Sequence, residues 1–200
     1  MRTLQTTPGD IGASAKEASH ERILRAAARA IRRTGYDGTG VAGIMKDAGL
    51  THGAFYAHFA SRKAMLAEAS DCASAEFNAF AASIMAGAPP RQSLNALVRA
   101  YLSEEHVSNV ETGCPVSALV SEMPRQAPEV RRAATRGIQE MIDLVARQSP
   151  ERRRPAAHDW ALVTVATMVG TLVLARAVDD PRLSEALLSV ALNRLAPVGE

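Results

Sequence analysis

Two short segments of helical period flank a single glycine, and this arrangement limits the fold more than any other feature of the chain. The first segment spans residues 41–48, and the second begins at Thr51 and carries Phe55 and Phe59 on one face. Gly49 between them permits the left-handed backbone of a tight turn. Helices of about two turns do not persist alone in water, so both must pack against a neighbouring helix. The pattern predicts a helix-turn-helix, whose second helix enters the major groove of DNA, and an ordinary helical hairpin with solvated charges is the alternative.

A longer amphipathic helix precedes this pair. Apolar residues recur from Ile23 to Ile31 at the spacing of one helix face, while five arginines lie largely off that face. We expect this helix to end near Gly35, and Thr39 is a candidate N-cap of the next helix. Three helices that share one small core are therefore predicted in the first third of the chain.

Helical spacing continues to the C-terminus, with Gly and Pro residues at the breaks. A long helix is expected from about Ser61 to Met85, followed by segments at about residues 92–107, 115–123, 128–148, 156–178 and 183–195. No segment of useful length alternates like a strand, and only 4% of the residues are aromatic, unlike most β-rich chains. We predict an all-α fold with an N-terminal three-helix unit and a C-terminal helical bundle.

The charges are divided unevenly along the chain. The formal net charge is +2, but residues 1–65 contain ten Lys and Arg against five Asp and Glu, a net +5, and the remainder carries −3. A basic end joined to a mildly acidic remainder is expected when one end meets a polyanion. The N-terminal third is therefore predicted to bind nucleic acid.

The sequence favours a cytoplasmic protein without a membrane span. Residues 1–17 are interpreted as a flexible lead-in rather than a signal peptide, because they are mixed, small and polar. The most apolar stretch, Trp160 to Ala175, has sixteen residues, shorter than a membrane span, and is predicted to be a buried helix. Cys72 and Cys114 provide neither a disulfide framework nor a CxxC pair, so a reducing compartment and no zinc site are expected.

The residues around the turn narrow the assignment to one family. Four pieces of sequence occur together at their expected spacing: Arg22-Ile23-Leu24-Arg25-Ala26-Ala27, Gly35-Tyr36, Ile44-Met45-Lys46-Asp47-Ala48-Gly49-Leu50-Thr51-His52-Gly53-Ala54-Phe55-Tyr56-Ala57-His58-Phe59, and Ser61-Arg62-Lys63. Over about residues 18–66 they closely resemble the DNA-binding domain of the TetR family of bacterial transcriptional regulators. The resemblance implies a homodimeric repressor that binds a double-stranded DNA operator, with residues 67–200 binding a small-molecule inducer and forming the dimer.

The recognition helix supplies the first set of predicted DNA contacts. His52 is the candidate for direct base readout, with a surface histidine as the alternative, and the Ala54 methyl is placed to touch a thymine methyl. Matching the family pattern, Tyr56 and His58 should reach phosphate oxygens. The first turn of this helix comprises Thr51, His52, Gly53 and Ala54.

The starts of two other helices supply a second set. Ser61, Arg62 and Lys63 begin the long helix, where cations oppose the helix dipole unless an anion is bound, so a phosphate clamp is predicted. The family usually has Lys and then Glu at the last two positions, so Lys63 departs from the pattern and a solvated surface role is its alternative. Thr39 is predicted to contact phosphate, with a plain N-cap as the alternative, and Lys46 is expected to add long-range attraction.

The C-terminal part is predicted to dimerise and to bind an effector. Its last two helices are apolar on more than one side and resemble the paired helices of the family's dimer interface, although a buried intramolecular pair remains an alternative. Met and aromatic side chains suit an adaptable apolar pocket, and each of them also fits a plain core. The candidate ligand-binding residues are Phe77, Phe80, Tyr101, His106, Cys114, Met123, Met141 and Trp160. No cofactor and no metal is predicted.

Cys114 supports a competing hypothesis. It precedes Pro115 at a helix start, where the helix dipole favours a thiolate, and its segment resembles a family subset in which some members respond to electrophiles or oxidants. A thiol-switched regulator and a small buried cysteine are both compatible with this pattern. An enzyme built on His106, Cys114 and Glu122 is not expected, because no nucleophile motif, phosphate loop or metal cluster accompanies them. A helical interaction module without DNA binding would leave the basic N-terminal third unexplained.

Overall fold

The structure, a computed structural model, describes residues 8–149 and 155–197. No strand occurs within these ranges, which confirms the all-α prediction. In chain order the helices are α1 (Pro8–Gly38), α2 (Val41–Asp47), a 3₁₀ helix (His52–Ala57), α3 (Arg62–Gly87), α4 (Ser93–Tyr101), α5 (Glu104–Ser108), α6 (Pro115–Leu119), a 3₁₀ turn (Met123–Arg125), α7 (Pro128–Ala146), α8 (Pro155–Ala177) and α9 (Pro181–Leu195).

The N-terminal helices surround one apolar cluster. Ile23 of α1 and Phe55 of the 3₁₀ helix are buried in it, as the sequence predicts for helices too short to stand alone. Leu119 of α6 and Val130 of α7 join the same cluster, so the C-terminal part closes this core. The domain boundary predicted at residue 66 falls inside α3, which runs unbroken from this cluster into the next.

A second apolar cluster holds the C-terminal helices together, and α8 lies at its edge. Over Ala157–Ala177, α8 has the length and the mean hydropathy, 1.6, of a membrane span, so the apolar stretch is longer than the sequence analysis expected. Met168 and Leu172 of α8 are buried against the core, whereas Val163 and Leu174 are exposed. The prediction of a buried helix is therefore right for only one face.

Three predicted boundaries are wrong. Residues 8–17 are helical and continuous with the helix that carries Ile23, rather than a flexible lead-in, and residues 1–7 lie outside the described range. The helix predicted at 92–107 is divided, because the Ser103 hydroxyl accepts the His106 N–H at 3.2 Å and begins α5. The helix predicted at 115–123 ends at Leu119, and a separate 3₁₀ turn that contains Pro124 follows at Met123–Arg125.

Candidate nucleic-acid interface and ligand cavity

The turn between α2 and the 3₁₀ helix has the predicted glycine geometry. Gly49 has a φ of 70°, and the following Leu50 N–H donates to Met45 O at 2.8 Å. This pair of features is a helix C-cap that only a residue tolerant of positive φ forms without strain. Gly35 also has a positive φ, 75°, and its ψ of 174° is not helical, so the helix that carries Ile23 breaks at Gly35 as predicted, and a short helical turn follows to Gly38.

The 3₁₀ helix divides its side chains between the core and solvent. Phe55 and Phe59 are buried with ring centroids 5.5 Å apart, and they anchor the segment. Tyr56 is 74% exposed, and its ring lies edge-to-face with that of Phe55 at a centroid distance of 5.2 Å. His52 and Gly53 are exposed, and Ala54 is half-buried. Further exposed residues with DNA contacts predicted from the sequence are Lys46, Thr51 and Lys63.

Arg62 does not extend into solvent as a phosphate clamp requires. Its guanidinium donates to the carbonyl oxygens of Tyr36 and Thr39, the latter at 3.0 Å, so it joins the start of α3 to the loop after α1. The Ser61 hydroxyl accepts the Ala64 N–H at 3.1 Å and is the N-cap of α3. The predicted clamp needs correction, because internal carbonyl groups satisfy Arg62, and Lys63 is the exposed cation of this turn.

Thr39 is also turned inward. Its side chain is buried, and its hydroxyl donates to Gly35 O at 2.6 Å and lies 3.0 Å from the Thr34 hydroxyl. The alternative that made Thr39 an N-cap is wrong, because Gly40 occupies that position. A phosphate contact by the Thr39 side chain would require the bond to Gly35 to break.

His58 lies beside the N-terminal end of α1 and is half-buried. Its ring centroid is 5.8 Å from that of His20, whose Nε2 lies 2.8 Å from the Glu68 carboxylate. Desolvation lowers the pKa of His58, and the nearby His20 and Lys16 lower it further. At neutral pH His58 therefore offers a phosphate a hydrogen bond rather than a positive charge.

A cavity of about 600 Å³ lies in the C-terminal part between α3, α4 and the segment from α5 to α6. Three predicted ligand-binding residues, Phe77, Phe80 and His106, line it. The other lining residues are Glu76, Ile84, Ala100, Ser103, Glu105, Asn109, Thr112 and Gly113. Helical spacing from Phe77 and Phe80 could have identified Glu76 and Ile84, but not the loop residues.

The other five predicted ligand-binding residues lie outside this lining. Tyr101, Cys114 and Met141 are buried in the C-terminal core, and Trp160 packs partly against it. Met123 packs against the N-terminal core instead, and its sulfur lies 3.7 Å from the Tyr36 hydroxyl. Apolar and aromatic composition did not distinguish these core positions from cavity positions, because both environments favour the same side chains.

The burial of Cys114 favours one of the two interpretations that the sequence left open. The Cys114 side chain is fully buried, and desolvation raises the pKa of its thiol, which opposes formation of the thiolate. The Tyr101 hydroxyl, buried beside it, has no hydrogen-bond partner of normal geometry among the described residues. Cys114 is therefore the small buried cysteine of the alternative interpretation.

His106 holds the cavity wall through both ring nitrogens. Its Nδ1 lies 2.7 Å from Tyr101 O, and its Nε2 accepts the backbone N–H of Cys114 at 3.0 Å. Only the neutral ring with its proton on Nδ1 satisfies both contacts, and desolvation lowers the pKa of His106 in agreement. A Cβ at Gly113 would lie 2.7 Å from His106 Nε2, so this contact requires glycine.

Arg32 connects the N-terminal helix to the cavity wall. This buried residue of α1 donates to the Glu76 carboxylate at 2.7 Å and to Gly113 O at 3.3 Å. A second contact between the two parts is made by Glu122, whose carboxylate accepts the Tyr36 N–H at 2.9 Å at the kink of α1. Arg32 therefore joins α1 directly to two residues that line the cavity.

Comparison with known proteins identifies similar sequences over both parts. Residues 23–69 match a family model described as bacterial regulatory proteins, tetR family. Residues 90–191 match one described as the C-terminal domain of LmrA/YxaF-like transcriptional regulators. A curated HTH-type transcriptional regulator of Mycobacterium tuberculosis strain H37Rv is 29% identical over 173 residues, which cover 80% of this chain and 85% of the relative.

Solved structures share the fold over almost the whole chain. A TetR transcriptional regulator from Chloroflexus aurantiacus has a TM-score of 0.74 and 25% identity, covering 92% of this chain and 94% of its own. The reduced form of NemR from Escherichia coli has a TM-score of 0.75 and covers 88% of this chain and 94% of its own. At 20% identity the second likeness shows the fold alone.

Proposed function

The chain belongs to the TetR family of bacterial transcriptional regulators, and on this premise we propose that it is a repressor that a small molecule releases from a near-palindromic operator. The family membership gives a transcriptional regulator with a DNA-binding helix-turn-helix. One observation supports release by a ligand more than any other: Glu76 lines the cavity and also binds Arg32 of α1.

Residues on either side of Gly49 provide the DNA contacts in this proposal. His52 reads base edges, with Thr51, Gly53 and Ala54 at the same turn, because small side chains allow close approach to the groove. Tyr56, His58, Lys46 and Lys63 contact phosphates or attract them, and Arg62 and Thr39 position the loop behind them. Each neutralised phosphate contributes roughly −0.9 to the slope of log affinity against log salt concentration.

Two copies of the chain are needed to read an operator of useful length. Val163 in α8 and Val190 in α9 are 66% and 68% exposed, and Leu174 and Leu183 are exposed as well. A Cβ at Gly170, also in α8, would meet nothing within 4 Å, so a second helix has room to approach there. A two-fold dimer through α8 and α9 would place two recognition helices about 34–36 Å apart, one turn of DNA.

Release follows if the effector binds a cavity shape that does not fit the DNA-bound dimer. A ligand shifts such an equilibrium only by its difference in affinity for the two shapes, and each tenfold difference is worth about 1.4 kcal/mol. The contacts of Arg32 transmit a movement of Gly113 or Glu76 to α1, which packs against the helix-turn-helix.

Neither the thiol switch nor the enzyme hypothesis is supported by the residues that it requires. The thiol switch requires an accessible thiolate, whereas Cys114 is fully buried with a raised pKa. In the enzyme hypothesis His106 should act as a base toward the Cys114 thiol, but its Nε2 already accepts the Cys114 backbone N–H. Glu122, the third member of that hypothesis, binds the Tyr36 N–H instead.

Deleting the gene tests the direction of regulation. We expect transcription from promoters whose DNA the purified protein binds to rise in the deletion strain, because a repressor has been removed. Quantitative measurement of those transcripts, with a complemented strain as the control, decides the point. A fall in the same transcripts would make the protein an activator and contradict this part of the proposal.

A further inference from the structure

The cavity lining is acidic in net charge. Glu76 and Glu105 line it, and neither Lys nor Arg is among the lining residues of the described chain. Its volume of about 600 Å³ lies within the range of small-molecule sites. The chemistry of the charges that face this volume therefore decides which effectors fit.

Glu76 and Glu105 differ in what balances their charge. Glu76 is paired with Arg32 at 2.7 Å, and the Arg32 guanidinium is buried behind it. Glu105 is exposed and belongs to none of the ion pairs formed by the described residues. The uncompensated charge of the cavity is thus the Glu105 carboxylate.

The polar neighbours of Glu105 do not oppose a cation. His106 is held neutral by its two hydrogen bonds, so it adds no positive charge. Arg33 lines a second pocket together with Glu105, but its guanidinium is paired with Glu111 at 3.0 Å. Arg176 of α8 donates to the carbonyl oxygens of Val107 and His106 and to the Ser117 hydroxyl, and neither arginine lines this cavity. The Ser103 hydroxyl donates to Ala100 O.

Aromatic and aliphatic side chains form the rest of the wall. Phe77 stacks on His106 with ring centroids 5.8 Å apart, and Phe80 is 51% exposed beside it in the lining. Ile84 and Ala100 extend the apolar surface. Aromatic faces attract cations as well as apolar groups.

We propose that the cavity binds an organic cation, an amine whose ammonium group pairs with Glu105 and whose aromatic or apolar body packs on Phe80 and Ile84. An anion would be repelled by Glu105, and a neutral ligand would desolvate this carboxylate without replacing its water contacts. The claim that such an amine is the effector rests on the proposed function, whereas the claim that the cavity binds an amine does not.

Three naphthalene derivatives that differ only in head group provide the test. Naphthylethylamine, naphthylethanol and naphthylpropionate are titrated into the full-length protein by isothermal calorimetry at neutral pH. We expect the amine to bind about fivefold more tightly than the alcohol and the carboxylate to bind most weakly, because one partly exposed charge pair is worth roughly 1 kcal/mol and a like charge opposes binding.

Two substitutions assign the preference to one carboxylate. Glu105→Gln should weaken amine binding about fivefold and leave alcohol binding unchanged, since it removes only the charge. Glu104→Gln is the matched control, because Glu104 lies in the same first turn of α5 but does not line this cavity. It should change neither affinity by more than about twofold, as expected for an exposed charge outside the site.

Equal or tighter binding of the alcohol, an unchanged amine affinity in Glu105→Gln, or binding of none of the three compounds would overturn the proposal. DNA release is measured separately, by adding the amine to the preformed DNA complex. An amine that binds through Glu105 but leaves DNA bound would contradict the inducer role in the proposed function, and the charge preference of the cavity would stand.

Discussion

Replacing His52 and Tyr56 together by alanine should weaken binding to the DNA upstream of the protein's own gene at least about a hundredfold. A specific base contact is worth roughly 1–3 kcal/mol, and a dimer loses the contacts of both residues in both half-sites. Tyr56 is 74% exposed and His52 is exposed, so neither substitution removes a buried group. Fluorescence anisotropy with a labelled duplex at fixed salt measures the loss.

The control for this double substitution is Thr135→Ala on α7. Thr135 is exposed and its hydroxyl donates only to Arg131 O of the same helix, so DNA affinity should not change. Arg62→Ala is unsuitable as a test of DNA contacts, because it also removes hydrogen bonds to the Tyr36 and Thr39 carbonyl oxygens. A loss of DNA affinity in that variant would therefore not distinguish a lost DNA contact from a destabilised fold. A folded double variant that retains wild-type affinity would show that the DNA surface lies elsewhere.

Introducing a charge at Val190 should separate the dimer and thereby abolish tight DNA binding. Val190 is 68% exposed in one protomer, and in a two-fold interface its substitution by glutamate places a charge on each side of the contact. Burying unpaired carboxylates costs several kcal/mol, so the dimer should dissociate at least about a hundredfold more readily. Analytical ultracentrifugation over a concentration series measures this change, and anisotropy measures the loss of affinity.

Ser189→Glu is the matched control for the charge at Val190. Ser189 is the preceding residue of α9, and it is exposed, with its hydroxyl donating to Ala186 O. The same added charge there should leave the dimer intact, because it lies about 100° around the helix from Val190. If Val190→Glu stays dimeric with wild-type DNA affinity, α9 does not form the interface.

Local signals in the sequence were sufficient for the helix-turn-helix and for most helix limits. Gly49 could be assigned from its position between two short apolar repeats, and its positive φ confirms the turn. Pro115, Pro128 and Pro181 each begin a helix, as proline does at a first-turn position. The division at Ser103 was missed because the apolar spacing continues across it while the cap depends on a side-chain bond.

The predictions that failed depend on contacts between residues distant in sequence. Arg62 was assigned to phosphate from the helix dipole, but its long side chain reaches the Tyr36 and Thr39 carbonyls, which no local pattern indicates. The sequence left Cys114 open between a reactive thiol and a small buried cysteine, and the burial that raises the pKa of its thiol, which no local pattern indicates, favours the second. The contact of Arg32 with Glu76 spans 44 residues, so the link from cavity to α1 appears only in the folded chain.

Selection of binding sites from a pool of random duplex DNA by the purified protein tests whether the chain binds specific DNA sequences as a two-fold dimer. A dimeric helix-turn-helix regulator should enrich a near-palindrome whose half-site centres lie about one helical turn, roughly 10 base pairs, or a small multiple of it apart. Recovery should fall steeply as salt is raised, in line with several phosphate contacts. Enrichment of no sequence, or of a single site without two-fold symmetry, would show that the protein does not bind a near-palindromic operator as a dimer.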